Sequence, residues 1–289
     1  FELKMYFDKF IGIDWSGDKN SFQKGISVAE CTIGNKVPNI VKPPSDKYWT
    51  RSTLIEWLYK EVKLQRNLIG LDFAFSYPFY DRSCYFPGIK NSPINTENLW
   101  ELIETANSNA KNFYGGEIWA NKTYGKFFNS PKIKGSLYFS RRRFTEIVAK
   151  KNIHSPSPTF NCVGPGAVGT GTLAGMRILN LLKSETKIWP FDEINFSTRS
   201  VLVEIFPTYY FRLSKVKPEK KIGYTIEKIN KSLKFFHSKP LKKNQIIGGP
   251  DQDDADSIIS SAALRSLSTD KKIWNVPNSS KKEGWIFGV

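Results

Sequence analysis

The stretch Phe10-Ile-Gly-Ile-Asp-Trp-Ser-Gly17 decides how this chain is read. Its apolar run predicts a strand, reaches a single aspartate, Asp14, and breaks at Ser16-Gly17. A carboxylate ending a buried strand is costly unless a cation or a hydrogen-bond donor meets it. Three later segments repeat the pattern of an apolar run with an acid: Leu68-Ile-Gly-Leu-Asp72, Val201-Leu-Val-Glu204, and Asp251-Gln-Asp-Asp-Ala-Asp256 at a helix start. The acids make one site only if the fold brings them together.

Working outward, Gly25–Ile33 alternates as a second strand, Val37–Val41 follows as a short third, and Pro43-Pro44 ends this antiparallel opening. Thr53-Leu-Ile-Glu56 reads as a capping box, with Leu54, Ile55, Leu58 and Val62 as one helical stripe. Asn67–Phe75 is apolar on both faces apart from Asp72, as an interior parallel strand is. From about 79 to 140 the periodicity loosens into an aromatic, Gly- and Lys-rich insertion or lid, with one helix expected over Glu97–Ala110. Ser200–Pro207 returns as a buried strand, a basic loop-helix insertion spans about 212–248, and an acidic helix runs from about Asp251 to Leu267. Gly284–Gly288 reads as a closing edge strand.

Composition narrows the function classes. With 289 residues, 40% apolar and 14% aromatic, the chain has the means for one large α/β domain over its whole length. It contains no apolar run near the roughly 20 residues a membrane span requires, and its N-terminus lacks a signal-peptide pattern. Three dispersed cysteines and two partnerless histidines exclude a disulfide framework, a zinc cluster and a His-based triad, and point to a reducing, cytoplasmic setting. The formal charge of +16, from 43 basic against 27 acidic residues, favours a polyanionic partner, nucleic acid above all.

Three antiparallel strands, a crossover helix, a parallel strand and further α/β units describe a ribonuclease H-like core, a mixed five-stranded sheet flanked by helices with a large insertion after the fourth strand. In that arrangement Asp14 and Asp72 end neighbouring strands. Asp253 and Asp256, three apart, share a helix face with Ile259, Ala263 and Leu267 and are pressed toward the sheet. Asp251 and Asp254 fall elsewhere on the turn and read as cap and first-turn charges. Hard carboxylate oxygens of this kind suit Mg²⁺ or Mn²⁺, two of which can activate a water and stabilise a leaving oxygen.

Several pieces in chain order carry a resemblance: Gly12-Ile-Asp14, Leu71–Pro78, Arg143-Phe-Thr-Glu146, Gly164–Gly171, Glu204-Ile-Phe-Pro207, Asp256-Ser-Ile-Ile259 with Ala262-Ala263, and Glu283–Ile286. Together they resemble an uncharacterised-domain family described as predicted nucleases of ribonuclease H-like fold. The resemblance implies Asp14, Asp72, Glu204 and Asp256 as the acidic site. Where that family has Asp-Ala on the last helix this chain has Asp256-Ser257, and its insertion is unusually aromatic and basic.

The expected activity is metal-dependent hydrolysis of phosphodiesters in nucleic acid. Asp14 would bridge two ions, Asp72 and Asp256 would each bind one, and Glu204 or Asp253 would complete or orient the set. Arg141, Arg142, Arg143, Lys217, Lys220, Lys221, Lys242 and Lys243 are the candidate phosphate contacts, interleaved with Tyr138, Phe139, Tyr209, Tyr210 and Phe236 as base-stacking rings. Two other readings stand beside it. Ile13–Gly17 and Gly164–Gly171 would serve as phosphate loops in an actin- or sugar-kinase-like phosphoryl-transfer protein. A non-catalytic nucleic-acid binder would keep the fold and the basic surface alone.

Overall fold

A computed structural model describes residues 7–44, 47–195, 197–242, 247–249 and 252–289. Among the described residues the sheet has six strands in the order β3-β2-β1-β4-β6-β5. These are β1 (Lys9–Asp14), β2 (Ser27–Thr32), β3 (Asn39–Ile40), β4 (Asn67–Leu71), β5 (Lys187–Ile188) and β6 (Val201–Glu204). β2 pairs antiparallel with β1 and β3, while β4 runs parallel to β1 and β6 runs parallel to β4 and β5. The sheet therefore has one strand more than the five expected: β5 is two residues long, too short for any alternation to register. The expected closing strand at Gly284–Gly288 is instead a single bridge from Ile286 to Glu204.

Strand parity sorts the core into two layers. Ile11, Ile13, Ile69, Leu71 and Leu202 face helices α1 (Arg51–Leu64), α2 (Thr96–Ala106) and α4 (Gly169–Leu182). Phe10, Ala29, Leu68, Val201 and Val203 face α5 (Pro207–Leu213), α6 (Ile226–Phe235) and α7 (Asp253–Leu267). The remaining helices are α3 (Phe144–Asn152), α8 (Lys271–Trp274) and α9 (Ser280–Glu283). Thr50 opens α1 with a capping box to Thr53, three residues before the box expected from Thr53 and Glu56.

The expected lid belongs to the core. Between 79 and 140 the chain forms α2 and three 3₁₀ turns, and its Phe86, Ile118, Phe127 and Phe128 are buried with Tyr77 and Phe160, whose rings stack at 4.2 Å. Arg177 on α4 grips Glu104 on α2 with both arms at 2.7 and 3.0 Å, which locks the segment to the layer beneath. The cysteines are free, Cys31 and Cys162 buried. His237 is exposed, and His154 lies half-buried with its ring stacked on Phe206 at 6.0 Å. No helix among the described residues is long and apolar enough to cross a membrane.

α7 lies directly across β1. A methyl group on Gly12 would meet Ser257 O at 2.5 Å and Ser261 N at 2.7 Å, so the helix backbone rests on the strand at a point where no side chain fits. Gly70 on β4 makes the same kind of room for Ile205 and Leu264.

Candidate functional site

The strand ends collect the acids. β1 and β4 are in parallel register through Ile13 and Leu71, and the Asp72 N–H continues the ladder by donating to Ile13 O at 3.0 Å. Asp14 and Asp72 are thus level, and both have the parity of Gly12 and Gly70, the side on which α7 lies. The first turn of α7 brings Asp253 and Asp256 over that edge. The Asp14 carboxyl shares hydrogen bonds with those of Asp253 and Asp72 and feels the charge of Asp256.

Burial pushes the Asp14 carboxyl well above the ordinary 3.8, and the neighbouring charges of Asp256, Asp72 and Asp253 push it further. Burial raises Asp72 to about 7, with Glu204 adding to the rise and the Asp14 hydrogen bond opposing it. Asp14 and Asp253 are buried, whereas Asp72 and Asp256 are half-buried, Asp72 lining a cleft. Carboxyl groups this close stay together only with a shared proton or a cation between them.

The hard oxygens are of the type Mg²⁺ and Mn²⁺ take. They do not stand as a finished cage: among the described residues no three Asp, Glu, His or Cys side chains are arranged to hold one ion. Their facing oxygens are turned toward each other in the carboxyl–carboxyl hydrogen bonds. Mg²⁺ commonly binds through one or two carboxylates and keeps its waters, so the donor chemistry fits such an ion.

Asp254 has another task. It accepts from Ser27 Oγ at 2.6 Å and Gly248 N at 2.9 Å, tying the start of α7 to β2 and to the segment before it. Asp251 and Lys243 lie outside the described residues. Gln252, at φ 64, is the residue that precedes α7.

Glu204 borders the cluster, since its charge reaches Asp72 and both line one cleft, but its carboxylate has other partners. It pairs in register with Leu71 and shares the parity of Leu202, so it points to the α1/α4 side. There it receives both arms of Arg143, with Nη1 donating at 2.7 Å, and the Phe75 N–H at 3.0 Å. Arg143 also donates to Glu146 at 2.8 Å and to Glu283 O at 3.1 Å. Glu283 in turn accepts from the backbone of Phe79, Tyr80 and Phe144 at 2.7, 2.9 and 2.7 Å. The side chains of Arg143, Glu146, Glu204 and Glu283 are buried, and the first three line the cleft that Asp72 also borders.

Two of the expected phosphate contacts are therefore internal. Arg143 is 1% exposed, and Arg141, at 3%, is held by Asp81 and by the carbonyls of Pro78 and Cys84 at 2.9 and 2.8 Å. Arg142 is half-buried and donates to Pro156 O. Tyr209, Tyr210 and Phe236 are core residues and have no face left for a base, while Phe139 stays exposed with Arg82 5.2 Å from its ring.

The lysines divide by position. Lys217, Lys220 and Lys221 are exposed, and the turn bearing the last two is pinned to the start of α7, where Gln252 accepts from Tyr224 N and donates to Ile222 O and Tyr224 O, both at 3.2 Å. Lys242 is exposed at the other end of the sheet. Its segment is fixed there by Lys239 N to Asn35 O at 2.7 Å and Ser238 to Lys36 O at 3.3 Å, beyond the Thr32 end of β2.

Two clefts flank the carboxylates. One, of about 440 Å³, runs from Asp72 past Trp15 and Gly17 to Thr170 and Gly171 at the start of α4. The other, of about 360 Å³, reaches from Asp253 and Asp254 to Lys24, Lys42 and Lys47. These three exposed lysines were missed in the sequence because they lie singly, with no basic run to mark them. Arg51 was missed too, because it precedes the helix start expected at Thr53. It is 1% exposed and donates to Ser16 O at 2.6 Å, Asp18 O at 2.8 Å and Asn112 O at 2.7 Å, which fixes the turn after Asp14.

Set against protein-family models, curated proteins and solved structures, the chain matches none of them.

Proposed function

We propose that this chain is a ribonuclease H-like, metal-dependent hydrolase of phosphodiester bonds in nucleic acid. The observation that carries the reading is the meeting of Asp14, Asp72, Asp253 and Asp256 at one strand edge in a chain of charge +16. Such a cluster repels a phosphate backbone unless a cation intervenes. Asp14, touching both Asp72 and Asp253, is the central ligand, with Asp72 and Asp256 as half-buried outer ones. Glu204 is withdrawn from the ligand set and becomes a support through Arg143. Lys220 and Lys221 on one side, and Lys24, Lys42 and Lys47 on the other, hold the phosphodiester over the carboxylates. A divalent ion bound there supplies Lewis acidity and an activated water.

The test is cleavage of a mixed DNA and RNA panel with Mg²⁺ or Mn²⁺, comparing the wild type with Asp14→Asn. The expected result is metal-dependent cleavage that the variant loses. Equal cleavage by the variant, or none by either protein, sinks the assignment.

A second reading is favoured by one contact. Gly17 and Gly171 meet so closely that a methyl group on Gly17 would lie 2.5 Å from Gly171 N, and Trp15 Nε1 donates to Gly171 O at 3.0 Å. Two glycine turns abutting beside a carboxylate are also how a nucleotide phosphate is cradled. Tight ATP binding or turnover in place of cleavage would select this phosphoryl-transfer reading, and salt-sensitive nucleic-acid binding with neither activity would select a binder.

A further inference from the structure

A cavity of about 860 Å³ lies away from the carboxylates. Arg265 on its wall is twelve residues beyond Asp253 on α7, ~18 Å along the helix. We propose that this cavity binds a small molecule with a flat apolar body and a single carboxylate, seated against Arg265.

The walls dictate the body of the ligand. Phe7, Phe10, Trp189, Ile194, Trp274 and Val276 line the cavity. Phe7 and Trp274 stack at 6.0 Å, and Trp189 meets Trp274 edge to face at 5.7 Å. Such rings favour another flat apolar group, and the volume is that of a site for a small organic ligand.

Arg265 dictates the charge. It is 7% exposed, and its Nη1 donates to Thr32 O at 3.2 Å and Lys36 O at 2.8 Å. Its Nη2 is buried with no hydrogen-bond partner among the described residues, and no carboxylate there forms an ion pair with it. Of the two acids on the wall, Asp192 is committed to Ile188 N at 2.7 Å and Glu193 is exposed. A guanidinium removed from water without a counter-charge is strongly disfavoured, and an incoming anion completes it. One remaining arm suits one carboxylate. A phosphate dianion would call for further buried cations, and His237, Lys271 and Lys281 on the rim are all exposed.

The experiment is calorimetric titration of the full chain with 1-naphthaleneacetate and with its neutral counterpart 1-naphthaleneethanol. The wild type is expected to bind the acid one to one and about tenfold or more tighter than the alcohol, the range of a charge-assisted bond. Arg265→Met should erase that preference and leave the alcohol unchanged. Val276→Trp keeps Arg265 and fills the wall, so it should weaken both probes even if Arg265→Met fails to fold. Absence of binding of either probe at millimolar concentration, survival of the preference in folded Arg265→Met, or undiminished binding by folded Val276→Trp would each overturn the proposal.

Discussion

Glu204 and Asp72 sit on adjacent parallel strands, yet they serve opposite sides of the sheet. Leu71, not Asp72, is the register partner of Glu204, and a single step along a strand reverses the side chain. Glu204 consequently meets Arg143 while Asp72 meets Asp14. This separation assigns distinct phenotypes to acids that look alike in the sequence. Glu204→Gln should leave half of a buried pair uncompensated and destabilise the fold by about 3 kcal/mol or more, measurable by chemical denaturation. A normal unfolding midpoint with lost activity alone would place Glu204 in the chemistry instead.

Asp14→Asn should have the opposite effect on the metal-free protein. At pH 8, where more of the cluster is ionised, the amide fills the same space and removes charge from among like charges, so stability should rise by about 1 kcal/mol or more. A drop in the melting temperature would contradict the crowding that surrounds Asp14.

The same cluster predicts a pH dependence. Asp14 and Asp72 are raised in the fold above the ordinary 3.8, so between that value and about 7 the folded chain holds more protons than the unfolded one. Their protonation stabilises the fold below about pH 4, and the Asp72 contribution is lost as the pH rises through about 7. Metal-free protein should therefore melt lower at pH 8 than at pH 5, on the order of 5 °C for a chain of this size. Mn²⁺ or Mg²⁺ should raise the melting temperature more at pH 8, where the carboxylates are ionised. A melting temperature independent of both pH and metal would count against a cation site.

Arg51→Met tests the turn beyond Asp14. Losing Arg51 leaves Ser16 O and Asn112 O without its donors and Asp18 O with Gln23 Nε2 alone, and should cost about 3 kcal/mol. Hydrogen exchange should accelerate at residues 16–18 ahead of the sheet; uniform acceleration would indicate that Arg51 supports the whole domain rather than this turn.

Lysine position, not lysine number, should govern nucleic-acid affinity. Replacing Lys220 and Lys221 together by alanine should lower affinity about tenfold at moderate salt and flatten the salt dependence by about two units in log–log slope. Lys242→Ala, at the opposite end of the sheet, should change neither. Fluorescence anisotropy from 50 to 200 mM salt would separate the two, and equal losses would mean that binding is spread over the surface.

Much of this was legible in the residues. The β1 and β4 runs end in aspartates because a buried parallel strand is apolar throughout, and an acid at its end is visible against that background. Asp253 and Asp256 followed from a spacing of three. Parity was the part that remained unread. Val203-Glu204 resembles Leu71-Asp72 in one dimension, and only the register, in which Ile205 follows level with Asp72, turns Glu204 away. The basic runs misled for a related reason: Arg141 and Arg143 look like surface charge until their acceptors, Asp81 and Glu204, arrive from 60 and 61 residues away. Burial of this kind is a tertiary property with no local signature.

Gly12 gives the site a mechanical basis. The two residues from Gly12 to Asp14 form one stroke of the strand on a single side, bearing the helix at one end and presenting the acid at the other. A side chain at position 12 would act as a wedge against Ser257, Ser260 and Ser261, displacing α7 and so parting Asp253 and Asp256 from Asp14 without altering any carboxylate. The spacing of the charges is thus set by an absence of atoms. Substitutions at position 12 offer a graded control over how tightly the four acids are drawn together.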